Sequence, residues 1–135
     1  MSTEKTKITE FQHKQQIAQN RQFLMFILNQ GYSDWVITVA FYLALHSIEW
    51  YLSKKDIYSG NHDERFKNIR KVPELIPIHN KYRVLYRKSK EARYLCQLSY
   101  LKRKEVDEAI DISEEIQAHI YSLSSDFPFE SIKNL

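Results

Sequence analysis

The residues able to do chemistry in this chain fall into groups set by their spacing. Tyr42, His46 and Glu49 follow one another at intervals of four and three residues, which puts them on one side of a helix. An imidazole beside a carboxylate can move a proton or hold the edge of a nucleobase. The carboxylate raises the pKa of the imidazole, and burial lowers it. His62 and Arg65 come just after Asn61, at what reads as the start of a short helix, where free backbone N–H groups favour an anion. Arg93 and Tyr94 close a later helical stretch that also carries Arg83, Arg87 and Lys90, with Tyr82 and Tyr86 between them. If His46, His62, Arg65 and Arg93 converge, they form a phosphate-recognising pocket with one acid or base. His46 and His62 are therefore the catalytic candidates. Tyr42, Glu49, Arg65, Arg83, Arg87, Arg93 and Tyr94 are the candidates for holding RNA or a nucleotide. A purely structural reading stands beside each: a satisfied buried network for His46 and Glu49, capping and surface pairing for His62 and Arg65, and a solvated face for the basic stripe.

The elements that must position these groups are helices. The 135 residues include only two glycines and three prolines, so turns are few and elements long, and the length suits one domain with a substantial core. The expected fold is an all-α, antiparallel bundle of four to five helices. A first helix starts from a Thr6 or Thr9 cap and runs to about Asn29, with Ile17, Leu24, Ile27 and Leu28 as its stripe. Gly31 then turns the chain. Ser33 or Asp34 caps a second helix reaching about Lys54 that is apolar on nearly every side, so it belongs in the middle of the bundle. Asn61 caps a short third helix with Glu64 as capping-box partner. A fourth helix spans about Ile78–Tyr94 and a fifth about Lys102–Leu123. Residues Leu95–Leu101 fit an extended linker as well as a helix. The organisation is a flexible N-terminus over 1–8, the bundle over 9–123 and a tail over 124–135, held weakly or docked through Phe127 and Phe129.

Charge is distributed unevenly. Residues 61–104 hold 13 basic and 4 acidic groups, whereas residues 105–135 hold 1 basic and 8 acidic. A segment of net +9 suits nucleic acid or a phosphorylated ligand, unless the acidic C-terminal helix neutralises it within the fold. The lone Cys96 reads as a small buried residue. His13, His46, His62 and Glu49 carry donors that metals take, but no metal motif links them, and no metal or other cofactor is expected. The N-terminus lacks the apolar core of a signal peptide, and polar residues interrupt the apolar run Val36–Leu52, so a soluble, cytoplasmic protein without a membrane partner is expected.

These residues, in this order, resemble the HEPN-like superfamily of small bacterial proteins. The resemblance rests on Trp35, Ala40, Phe41, Tyr42, Ala44, His46 and Glu49 in one helix, His62 and Arg65 after a turn, and Tyr82, Leu85, Ser89, Ala92, Arg93 and Tyr94 in a later segment. It extends from about His13 to Ile120. It implies a four- or five-helix bundle, homodimers, and roles around RNA or nucleotides in toxin–antitoxin, stress or phage-defence systems. Many HEPN ribonucleases carry an Arg followed after four to six residues by His. Arg65, Arg70, Arg83, Arg87 and Arg93 have no His at that distance, and His79 lies too far from Arg70. The resemblance therefore implies RNA or nucleotide binding first. The alternatives are a metal-independent ribonuclease using His46 or His62, and a protein–protein interaction module with a partner protein.

Overall fold

The structure, a computed structural model, describes residues 8–94 and 103–132. Among the described residues it is an all-helical bundle of five α-helices: α1 (Glu10–Ile27), α2 (Ser33–Lys54), α3 (His62–Lys71), α4 (Ile76–Tyr94) and α5 (Arg103–Leu123), with a 3-10 turn at Pro73–Leu75. Cys96 and the stretch Leu95–Leu101 lie outside the described residues, as do the first seven residues of the expected flexible N-terminus.

Thr9 starts α1 with a full capping box. Its hydroxyl accepts from the Gln12 backbone N–H at 3.1 Å, and the Gln12 side chain accepts from the Thr9 N–H at 2.8 Å. Gln12, rather than an acidic residue, completes it. The buried stripe is His13, Ile17, Leu24 and Ile27. The helix ends at Ile27, and Gly31 takes φ +85°, a left-handed conformation glycine adopts without steric cost. The head of α2 differs from expectation. Tyr32 stands at the N-cap with no side-chain hydrogen bond, and Ser33 is already the first helical residue. Burial holds this helix in place instead: 15 of its 22 residues are buried, and it packs on α1, α4 and α5. It is long and apolar enough to cross a membrane, but 83% of its most apolar window is covered by the rest of the fold. Thr38 and Ser47, polar residues in this core, return their hydroxyls to the carbonyls of Asp34 and Leu43 at 2.8 and 2.6 Å. Trp35, at the head of α2, is exposed.

Asn61 caps α3 by accepting from the Glu64 N–H at 2.9 Å, but Glu64 reaches back to the N–H of Gly60 rather than to that of Asn61. Pro73 opens the 3-10 turn, and α4 begins at Ile76, two residues before the expected start. Pro77 falls in its first turn, where a missing N–H costs nothing. Ile78, Tyr82, Leu85, Ser89 and Ala92 are its buried stripe. On α5 the Ser113 hydroxyl bonds the carbonyl of Ala40 at 2.6 Å, tying it to α2. The tail is docked firmly. Phe127 is buried against Trp50 with ring centroids 5.1 Å apart. Arg21 donates to the carbonyl of Pro128 at 2.6 Å, and the Glu114 carboxylate accepts from Ser131 Oγ at 2.6 Å and from the Ile132 N–H at 2.8 Å.

Candidate functional site

His13, His46, Glu49 and Arg65 meet along one seam of the bundle. His13 in α1 faces His46 in α2, Nδ1 to Nδ1, at 3.0 Å. Such a contact needs one ring carrying a proton on Nδ1 and the other bare. Both rings are neutral: burial lowers each pKa to about 4, helped by the positive charge of Arg65 and, for His46, by its partner His13. Glu49 lies one turn on from His46 but bonds elsewhere. Its Oε1 accepts from Arg65 Nε at 2.6 Å, and both side chains are about nine-tenths buried. A buried guanidinium leaves a large penalty if unpaired, so it takes the carboxylate and His46 turns to His13. Of the two opposing effects on His46, burial prevails, and its pKa falls.

Arg65 reaches further. Its Nη1 donates to His62 Nδ1 at 3.0 Å. His62 is half-buried between Arg65 and the ring of Tyr86, 4.8 Å away, with Phe41 at 6.2 Å. Its pKa is lowered by burial and then by the charges of Arg65, Arg93 and Lys90, against a small opposing effect of Asp63. The Tyr82 hydroxyl is buried near Arg65 without a hydrogen bond of ordinary geometry. Burial works against the charge on Arg65 too, but Tyr82 and Glu49 outweigh it and raise its pKa. A cleft of about 110 Å³ opens on the seam, lined by His13, His46, Glu49 and Arg65 together with Ile8, Leu45, Tyr58 and Ser59.

A second feature lies along α4. Arg83, Tyr86, Arg87, Lys90, Glu91 and Tyr94 line an open groove of about 360 Å³. The basic residues of this helix divide by side. Lys88 pairs with Glu108 at 2.9 Å and Lys81 with Glu115 at 3.1 Å, so the acidic α5 neutralises one flank. Arg83, Arg87 and Lys90, at intervals of four and three, have no ion-pair partner among the described residues. Lys90 lies over the Tyr86 ring at 5.4 Å. Tyr86 belongs to both features, since it lines the groove and packs on His62. Arg93 is occupied within the fold. It donates to the Tyr42 hydroxyl at 3.1 Å and to the Ser89 carbonyl at 3.2 Å, and its guanidinium lies over the rings of Tyr42 and Tyr94.

No family model, curated protein or solved structure matches it. Any role must therefore be argued from the geometry. His46, Glu49 and Arg65 share the cleft, and His62 joins them on the far side of Arg65. Arg93 is close enough to bias His62 electrostatically but is spent on Tyr42 and Ser89. Arg83, Arg87 and Tyr94 stand in the groove, a separate surface. The four groups His46, His62, Arg65 and Arg93 therefore do not close around a single phosphate pocket. Among the described residues no three His, Cys, Asp or Glu side chains gather as metal ligands. His13 is the seam residue that pairwise spacing does not reveal. It sits on the buried stripe of α1, four residues before Ile17, and a polar residue on a core stripe demands a partner.

Proposed function

We propose that this protein binds RNA or a nucleotide along the groove of α4, as an antiparallel helical bundle of the HEPN-like type acting in a toxin–antitoxin, stress or defence system. One observation carries the reading: among the described residues Arg83, Arg87 and Lys90 have no acidic ion-pair partner and stand beside two tyrosine rings, while Lys81 and Lys88 of the same helix are neutralised by α5. Arginine and lysine at successive turns track a phosphate backbone, and exposed tyrosine faces accept stacked bases. Tyr94, which is 67% exposed, is the freest of them. The antiparallel arrangement is supported by contacts at both ends of the first two helices. Glu10 reaches Lys54 at 3.4 Å, and the short turn over Gly31 joins their other ends. Fluorescence titration of labelled single-stranded RNA and of nucleotides, repeated across salt concentrations, tests the proposal. Binding that weakens as salt rises is expected; absence of binding to every probe at low salt defeats it.

A second reading has its own observation. His62 lies against the groove through Tyr86, its Nδ1 is engaged by Arg65, and its Nε2 has no hydrogen-bond partner among the described residues. With Nδ1 accepting from Arg65, the neutral imidazole carries its proton on Nε2 and can donate there to a phosphate oxygen; the base step of a metal-independent ribonuclease requires Arg65 first to release Nδ1. Incubation of the purified protein with RNA separates the two. Cleavage lost in His62→Ala, with the circular dichroism spectrum unchanged, makes the protein a nuclease; intact RNA leaves it a binder.

A further inference from the structure

Helix α4 carries six basic side chains and a single acidic one, Glu91. The fold makes no use of that carboxylate. Glu91 is half-buried and lines the α4 groove, and among the described residues it forms no ion pair and no side-chain hydrogen bond. Lys88, one turn before it, is taken by Glu108. Arg87 precedes it by four residues, the order in which a basic and an acidic side chain on a helix pair less well. Its place in the last turn of α4 sets it against the negative end of the helix dipole. A phosphate entering the groove adds further repulsion. A carboxylate is favourable there only beside a ligand that offers it N–H donors.

The next turn supplies a platform for such a ligand. Tyr94 follows Glu91 by three residues, so the two side chains are neighbours on the helix surface. The Arg93 guanidinium covers one face of the Tyr94 ring at 5.1 Å, and it is itself anchored by the Tyr42 hydroxyl at 3.1 Å and the Ser89 carbonyl at 3.2 Å. Tyr94 is 67% exposed, which leaves its second face open. A base stacks there on a ring already backed by a cation, with its edge within reach of Glu91.

Resting on the proposal that the groove binds RNA or a nucleotide, we infer that Glu91 selects an unpaired guanine base stacked on Tyr94. A carboxylate only accepts, through two oxygens side by side. Among the RNA bases only guanine presents two adjacent donors, N1–H and the N2 amino group, on its pairing edge. Adenine and cytosine set a bare ring nitrogen beside their amino group, and uracil sets a carbonyl on each side of its N3–H. Each of these turns a lone pair toward one carboxylate oxygen. Arg83, Arg87 and Lys90 hold the adjoining phosphates and offset the charge of Glu91.

Fluorescence titrations at one low salt concentration test this, with oligouridine strands that carry guanosine, adenosine, cytidine or inosine at one position. The guanosine strand should bind about tenfold more tightly than the adenosine and cytidine strands. Inosine, which lacks the N2 amino group, should lose most of that gain. Glu91→Gln keeps the side-chain length but sets a donor beside an acceptor, a pattern that fits adenine, so it should abolish the guanosine preference and favour adenosine. Tyr94→Ala should weaken every strand about tenfold and remove the preference with it, whereas Tyr94→Phe should keep both. Guanosine monophosphate should displace the strand at lower concentration than adenosine monophosphate does; a mononucleotide as tight as the strand assigns the base to a free nucleotide, a weaker one to RNA. Strands bound equally whatever the base, or a guanosine preference unchanged in Glu91→Gln, would overturn the inference and leave RNA binding in the groove standing. Binding of no strand and no nucleotide would instead defeat the groove proposal on which the inference rests.

Discussion

The seam between α1, α2 and α3 and the groove along α4 are made from the same few residue types, yet they leave their side chains in opposite conditions. In the seam the ionisable side chains are committed to one another. His13 answers His46, Glu49 answers Arg65, and Arg65 answers His62. In the groove Arg83, Arg87 and Lys90 are exposed and lack acidic partners among the described residues. Depth in the fold makes the difference. A buried charge must be paired or its desolvation is uncompensated, so burial turns potential ligands into mutual partners. A surface charge loses little by waiting for a phosphate. The seam is therefore expected to govern stability, and the groove to govern binding.

The largest effect should come from breaking the seam. Arg65→Ala leaves the Glu49 carboxylate buried and alone, and urea unfolding should show a loss of about 3–5 kcal/mol. Replacing both members of the pair, Glu49→Leu with Arg65→Met, should recover most of that loss, because two apolar side chains strand no charge. Next in size is pH. The native rings of His13 and His46 refuse protons until about pH 4, whereas the unfolded chain takes them up near 6.5. The contribution of the pair is thus complete above pH 6.5 and is lost as pH falls toward 4, a decline on the order of 3 kcal/mol for each ring. A stability profile with its slope confined to that window would sharpen the comparison. His13→Phe should flatten it. An unchanged profile in that variant would place the titration elsewhere.

Smaller effects belong to the groove. Arg83, Arg87 and Lys90 replaced together by Ala should cut RNA affinity about 10- to 100-fold, with stability altered by less than about 0.5 kcal/mol. Smallest of all is Lys88→Ala on the same helix. Its partner Glu108 sits on the neutralised flank, so the substitution should cost no more than about 1 kcal/mol of stability and leave RNA affinity within about twofold. Equal losses of affinity from Lys88→Ala and Arg87→Ala would erase the distinction between the two flanks.

Helical period made the core readable in advance. The α4 stripe Ile78, Tyr82, Leu85, Ser89 and Ala92 is buried as spacing requires, and the apolar α2 occupies the middle of the bundle. The Thr9 and Asn61 caps were legible for the same reason: capping is a local interaction between residues three apart. Partner choice was not. Glu49 has His46 one turn away in sequence and takes Arg65, sixteen residues on, because a tertiary charge outcompetes a local neutral ring. His13 and His46 are 33 residues apart, and only the packing of α1 on α2 joins them. The split of the basic stripe depends on which flank of α4 meets α5, a fact of packing that the linear charge count cannot hold.

The central claim is that the groove, and not the seam, meets the phosphate backbone. Its most direct test is the slope of log Kd against log salt for single-stranded RNA, measured for the unaltered protein and for the Arg83→Ala, Arg87→Ala, Lys90→Ala variant. Three lost phosphate contacts should flatten the slope by about 2. An identical slope and affinity in both proteins would contradict the account.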